Sequence, residues 1–139
     1  MSSINPLGRL FNAGTSATTA AVRFSLRDCS GITFILIGAT SGNATIQEAN
    51  AASGGTAQNL ATITEYYTQN NGVWTRVTQA AAATATAATG GLLSVFVPQG
   101  ALSDGFGYLA ASHGTGTILA VMADLDVRRF PPNLRDVRA

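Results

Sequence analysis

From residue 20 onward, the chain is a series of short apolar or alternating runs separated by clusters of Gly, Asn and Ser. This pattern is typical of antiparallel strands joined by tight connections. In 22–27 the apolar residues Val22, Phe24 and Leu26 alternate with polar ones, which predicts one core face and one solvent face. The run 32–38 is apolar on both faces for much of its length and is predicted to be a central strand.

The clearest local prediction is a β-hairpin around Asn71-Gly72. Asn-Gly between two β-prone runs is the strongest short-range hairpin signal. Other strands are predicted at 44–49, around 60–66, at 92–97 before Pro98, and as a last pair at 106–111 and 117–128. In the final strand Leu119, Val121, Ala123, Leu125 and Val127 are predicted to share the apolar face, with Asp124, Asp126 and Arg128 on the other face.

Two connecting segments have a distinctive composition. The stretch 50–58, which contains Ser53-Gly54-Gly55-Thr56, is predicted to be a mobile connection. The Ala-rich stretch 80–88 has helical propensity, but its Thr residues and the following Gly90-Gly91 favour a loosely held extended segment. A short helix there is the alternative.

The number of predicted strands indicates the fold. About eight short strands in one domain are typical of an all-β, antiparallel two-sheet sandwich, with a jelly roll as the favoured version and an open barrel as the alternative. Residues 1–19 show no periodicity and are predicted to be an N-terminal arm, followed by the sandwich core at 20–128. Residues 129–139 form a predicted C-terminal arm, because Pro131-Pro132 cannot continue a strand ladder.

The chain of 139 residues is poor in charge. Charged residues make up 11% of the sequence, against about 25% in typical globular domains. Such a surface is weakly protected against association, which predicts that other subunits cover part of it; the alternative is that hydroxyls and amides keep it soluble. A net charge of +1 argues against a nucleic-acid partner. All eight basic residues are Arg, which suits fixed interface contacts, although genomic base composition explains the bias equally well.

Residues that could carry chemistry are few: one His, one Cys, two Glu and five Asp. This supply predicts a protein that is not an enzyme and has no catalytic, cofactor-binding or metal-binding residues. His113, in a Gly-rich turn, is expected to be exposed to solvent or at an interface, and Cys29 to be a small buried residue near a strand end. Asp124 and Asp126 are interpreted as part of a surface ion-pair cluster, with a cation-binding pair as the alternative.

The aromatic residues around the hairpin allow a second interpretation. Tyr66, Tyr67 and Trp74 flank it and could form a platform for stacking sugars, although cross-strand packing is the simpler explanation. The start of the chain lacks the pattern of a signal peptide, and the longest apolar run, 32–39, is too short for a membrane span. We therefore expect synthesis in a cytoplasm and no membrane partner.

Four segments, read together, carry a resemblance: TIQEANAASGGTAQNLA, YYTQNNGVWTRVTQA, LSDGFGYLAAS and DLDVRRFPPNLRDV. They resemble a family of small virion proteins of tailed bacteriophages, encoded beside the major capsid protein. The resemblance covers roughly residues 22–137 and contains no catalytic motif. It implies a β-rich decoration (cement) protein on the outer capsid surface, made in the host bacterial cytoplasm and lacking cofactors.

The major capsid protein is the partner that the resemblance implies. Copies of the chain itself are the second expected partner, as a homotrimer, because closed cyclic symmetry is the default for such assemblies and a trimer suits a threefold position of the shell. We expect the two arms to supply the interface. The predicted interface residues are Leu7, Arg9, Leu10, Phe11, Arg128, Arg129, Phe130, Pro131, Pro132, Leu134, Arg135 and Arg138. Two other functions stay open: a tail, head-to-tail or fibre-associated virion component, and a carbohydrate-binding β-sandwich module.

Overall fold

The computed structural model describes the main chain of residues 9–14 and all atoms of 22–27, 29–38, 43–87 and 90–123. In these ranges the chain forms two antiparallel sheets that pack face to face, so the predicted all-β sandwich is confirmed. The strands are β1 Arg9–Gly14, β2 Phe24–Ser25, β3 Gly31–Ile37, β4 Asn43–Ala49, β5 Ala57–Asn59, β6 Ile63–Asn70, β7 Val73–Ala82, β8 Thr84–Thr86, β9 Leu92–Pro98, β10 Tyr108–His113 and β11 Thr117–Ala123. No helix in the described residues is long and apolar enough to cross a membrane.

The two sheets differ in size. The larger has the strand order β1-β11-β3-β9-β6-β7, and the smaller has the order β2-β10-β4-β5, with β8 also paired to β4. Strand β3 pairs with β11, and β4 pairs with β10, so strands from the early and late parts of the chain are neighbours in both sheets. From β3 the larger sheet continues through β9 to the β6–β7 hairpin.

The core lies between the sheets and is built from alternating positions. Phe24 and Leu26 are fully buried and Val22 packs against them, as the alternation predicts. Strand β3 has a paired strand on each side, which confirms that it is central. Its core face carries Ile32, Phe34 and Leu36, which have almost no exposed surface.

The last two strands differ from the prediction in two ways. Strands β10 and β11 were predicted as a neighbouring pair, but they belong to different sheets, so residues 114–116 cross from one sheet to the other. In β11 the buried residues are Ile118, Ala120 and Met122, and the face that includes Leu119 is only half-buried. Both faces of this strand are apolar, so alternation alone could not select the inner one.

The predicted N-terminal arm contains a strand that the sequence analysis missed. Arg9–Gly14 pairs antiparallel with β11 and forms one edge of the larger sheet, with Phe11 opposite Ala120. The segment lacks an alternating pattern, so its pairing depends on the partner strand. The predicted C-terminal arm lies outside the described residues.

The predicted hairpin is confirmed. Strands β6 and β7 are joined by Asn71 and Gly72, and the pair Asn70–Val73 closes the turn. Both turn residues have positive φ angles, 48° at Asn71 and 80° at Gly72, as a type I′ turn requires. The Asn-Gly pair therefore sets the register of the hairpin.

Both segments of distinctive composition contribute to strands in their described parts. The Ala-rich segment is extended, forming the end of β7 and then β8, so the alternative of a helix is wrong for its described part. The connection 50–58 was predicted to be mobile, but Arg23 Nη1 donates hydrogen bonds to the carbonyl oxygens of Ala51 and Gly54, at 2.8 and 2.5 Å. Its last residues begin strand β5, which pairs with β4.

Candidate interaction surface: the outer face of the larger sheet

The larger sheet has an apolar face that points away from the core. Cross-strand register places Val121, Thr33 and Phe96 in one row of this face. The next row contains Leu119, Ile35, Ser94 and Tyr67, and the row after that contains Ile37 and Leu92. We call the following residues the outer face: Thr33, Ile35, Ile37, Tyr67, Leu92, Ser94, Phe96, Leu119 and Val121.

Exposure distinguishes this face from the rest of the sandwich. The large hydrophobic side chains that are most exposed in the described residues are Ile37 at 40%, Tyr67 at 43%, Val73 at 66%, Trp74 at 50% and Phe96 at 51%. All five lie on strands of the larger sheet. Three of them belong to the outer face, so the exposed apolar area is concentrated there and on the adjoining hairpin.

Charge is almost absent beside this surface. On the side of the larger sheet that points away from the core, the charged residues of the described strands are Glu65 and Arg76, and they form an ion pair with each other. The hydrogen bond from Arg76 lowers the pKa of the Glu65 carboxyl, and a second bond from the Tyr67 hydroxyl acts in the same direction. The face therefore presents little charge to repel a partner.

Phe96 is held in place by a glycine in the neighbouring strand. A Cβ atom on Gly31 would lie 2.7 Å from the Phe96 ring and 2.6 Å from the carbonyl oxygen of Val97. Glycine in a strand often marks such a close approach. The ring thus lies close against Gly31 while about half of the Phe96 surface stays open to solvent.

The hairpin extends beyond the part of the sheet that covers the core. Every residue of β7 from Val73 to Arg76 is exposed, and Val77 packs only partly against the core. Gln79 fixes the base of the hairpin, because its Nε2 donates to the carbonyl oxygens of Ile63 and Thr84 at 3.1 and 2.8 Å. Strand β7 is therefore a long edge strand with both faces largely open.

The three aromatic residues considered as an alternative sugar-stacking platform do not all lie on one side of the hairpin. Tyr66 is buried in the core, because adjacent residues of a strand point to opposite faces. Tyr67 and Trp74 lie on the opposite, outward side of the hairpin, because Tyr67 and Gln69 share a face and Gln69 pairs with Trp74. Tyr66 is therefore separated from the other two aromatic residues, which are both exposed.

The prediction for His113 is wrong and that for Cys29 is confirmed. His113 is only 5% exposed, and its Nε2 lies within hydrogen-bond distance, 2.7 Å, of the carbonyl oxygen of Gly116. It therefore braces the turn between the sheets. Cys29 is buried two residues before β3 begins.

A buried carboxylate was missed by the sequence analysis. Glu48 on β4 is 1% exposed. Its carboxylate accepts hydrogen bonds from Gln58 Nε2 at 2.6 Å, from the Ser103 main-chain nitrogen at 2.8 Å and from Ser103 Oγ at 2.7 Å. Burial raises the pKa of this carboxyl, but the three hydrogen bonds outweigh burial and the net shift is downward. The only signal in the sequence was the position of Glu48 beside apolar neighbours on a strand.

Three of the interface residues predicted from the sequence lie in a described strand. Arg9, Leu10 and Phe11 lie in β1, where the register sets Leu10 opposite Val121 of the outer face. The remaining predicted interface residues, together with Asp124 and Asp126, lie outside the described residues. Within the described ranges, no three His, Cys, Asp or Glu side chains are grouped so that they could hold a metal ion.

The fold defines an antiparallel β-sandwich with one exposed apolar sheet face. Compared with known proteins, the chain matches no family model, no curated protein and no solved structure.

Proposed function

We propose that the protein is a structural component of a tailed-phage particle, a decoration protein that binds the outer surface of the capsid shell. The observation that supports this proposal best is the outer face, where Ile37 and Phe96 are about half exposed. The charges described beside this face, Glu65 and Arg76, form an ion pair with each other. Exposed apolar patches of this kind mark sites of protein association. The resemblance of four sequence segments to small virion proteins supplies the identity of the particle.

The proposal assigns the outer face to contact with the major capsid protein. An apolar sheet face excludes water over a broad area, which a small protein needs in order to stay bound to a shell. The homotrimer expected from a threefold shell position and the contacts of the two arms belong to the same proposal.

The test is binding of the full chain to purified shells that lack it, followed by sedimentation. Ile37→Glu places a charge in the outer face at a site that is already partly exposed, so the fold tolerates it. Ala57→Glu adds the same charge to an exposed position of the smaller sheet and serves as the matched control. We expect wild type and Ala57→Glu to sediment with shells and Ile37→Glu to stay in the supernatant. Failure of wild type to bind would reject the proposal, and equal binding of Ile37→Glu would reject the role of the outer face.

A further inference from the structure

None of the described strands pairs with the outer edge of β7. It is the last strand of the larger sheet, and among the described strands it pairs only with β6. Pairing is regular from Val73 to Thr78 and irregular beyond that point. The hairpin therefore presents a six-residue regular edge, bounded by the turn on one side and by the irregularity on the other.

The geometry of the turn determines which main-chain groups of this edge are free. In a two-residue hairpin the closing pair, Asn70–Val73, is hydrogen-bonded, and hydrogen-bonded pairs then alternate along the ladder. Val73, Thr75 and Val77 therefore direct their N–H and C=O groups toward β6. Trp74, Arg76 and Thr78 direct theirs outward, where they can bond another strand.

The side chains of this edge favour association. An edge strand is commonly protected by Pro, Lys or a charge that points inward. The regular part of β7 has no Pro and no Lys, and its single charge, on Arg76, is already paired with Glu65. Val73 and Trp74 are at least half exposed. The edge thus offers main-chain groups that can bond another strand, and its side chains do not block that pairing.

We propose that β7 pairs antiparallel with β7 of a second copy of this chain, about a two-fold axis at Thr75. This register sets Trp74 opposite the partner's Arg76, where the guanidinium can lie against the indole. It also sets Val73 opposite the partner's Val77, a favourable pair of β-branched residues. The outward main-chain groups of Trp74 and Arg76 become hydrogen-bonded across the axis.

The neighbouring registers are less favourable. An axis at Arg76 places two like charges directly opposite each other, which is destabilising. An axis at Val77 sets Val73 opposite the partner's Ala81, beyond the point where the pairing of β7 becomes irregular. An axis at Trp74 would leave only the pairs from Val73 to Thr75 within the regular segment, because the next residue is Gly72 of the turn. The axis at Thr75 keeps the pairs from Val73 to Val77 within this segment, so self-complementarity favours this register.

This inference deepens the proposed function, because it names a contact between copies of the protein, and it rests on the assembly role proposed above. A two-fold contact joins two chains and forms one continuous sheet across them. It does not close a ring of three, so the predicted homotrimer requires a different contact.

The test is cysteine cross-linking in the full chain. At the proposed axis Thr75 faces the partner's Thr75 in a non-hydrogen-bonded pair, whose Cα atoms are about 4.5 Å apart. This spacing lies within the range of a disulfide. Thr78 lies on the same exposed edge, but its two copies would be about 20 Å apart at a rise of about 3.4 Å per residue. The native Cys29 is buried and does not compete.

We expect Thr75→Cys to form a covalent dimer under mild oxidation and the matched control Thr78→Cys to remain mostly uncross-linked. Equal cross-linking of the two variants, or a maximum at Arg76→Cys or Val77→Cys, would overturn the proposal.

A second measurement uses no cysteine. Thr75→Glu places like charges opposite each other at the axis, whereas Thr78→Glu adds the same charge away from it. The mass of the full chain in solution should fall by half only for Thr75→Glu, with circular dichroism confirming that both variants fold. A mass that Thr75→Glu leaves unchanged, including that of a trimer, would contradict the pairing.

The two proposals fail separately. A chain that cross-links at Thr75 but does not bind shells retains the β7 contact and loses the virion role. A chain that binds shells without cross-linking at Thr75 retains the virion role and loses the contact.

Discussion

The carboxylate of Glu48 is expected to contribute strongly to stability, and Glu48→Gln tests this. Glutamine has nearly the same shape, but it replaces one acceptor oxygen by an NH₂ donor. The carboxylate accepts three hydrogen bonds, one from Gln58 and two from Ser103, so at least one donor loses its acceptor in the variant. The substitution therefore removes polar contacts with little change in packing.

The size of the effect follows from these contacts. A hydrogen bond to a charged group contributes about 1.5–3 kcal/mol net. Glu48→Gln removes one such bond and makes the other two neutral, while relief from burying the charge offsets part of this loss. We expect the free energy of unfolding at pH 7 to fall by about 2 kcal/mol.

Urea unfolding followed by tryptophan fluorescence measures the change, since Trp74 is the single tryptophan. Glu65→Gln is the matched control, because Glu65 is also hydrogen-bonded but lies at the surface, where its ion pair with Arg76 is screened by solvent. The control should change stability far less. Equal losses in the two variants, or no loss in Glu48→Gln, would refute the argument.

The same network predicts a pH dependence. The folded-state pKa of Glu48 is lowered below the value that glutamate has in an unfolded chain, because the hydrogen bonds favour the ionised carboxylate. The ionised carboxylate therefore stabilises the fold fully above that value, and the contribution is lost as the pH falls through the folded-state pKa. The stability difference between wild type and Glu48→Gln should be constant near neutral pH and shrink in acid. A difference that grows in acid would contradict the direction of the shift.

Three further substitutions test the packing. Gly31→Ala should lower the free energy of unfolding by about 1–3 kcal/mol, because the added Cβ meets the Val97 carbonyl oxygen; an unchanged urea midpoint would contradict this. Gly72→Ala should cost about 1 kcal/mol in the same assay, because its φ of 80° is unfavourable for alanine although space is open there. Arg23→Gln should speed hydrogen exchange in the 50–56 connection without changing exchange in β3, since it removes the bonds to Ala51 and Gly54; equal exchange in both proteins would show that the connection is held otherwise.

The sequence predicted those parts of the fold that depend on local rules. Alternation in 22–27 identified the buried Phe24 and Leu26, and the Asn71-Gly72 pair identified the hairpin and its turn. These features depend on period-two burial and on positive φ angles, which neighbouring residues determine.

The parts that the sequence did not predict depend on distant contacts. The inner face of β11 is selected by packing against the opposite sheet, since both of its faces are apolar. Likewise, β1 is a strand because β11 offers it an edge, and Glu48 is tolerated in the interior because Ser103, 55 positions away, donates to it. The outer face could not be recognised for the same reason, because its residues come from four strands that are adjacent only in the folded sheet.

An image reconstruction of purified phage particles that carry the chain tests the central claim most directly. Our account predicts sandwich-shaped density on the outside of the capsid shell, with the larger sheet and its outer face, including Ile37 and Phe96, turned toward the capsid subunits. Density confined to the tail, or a sandwich bound with its smaller sheet toward the shell, would contradict it.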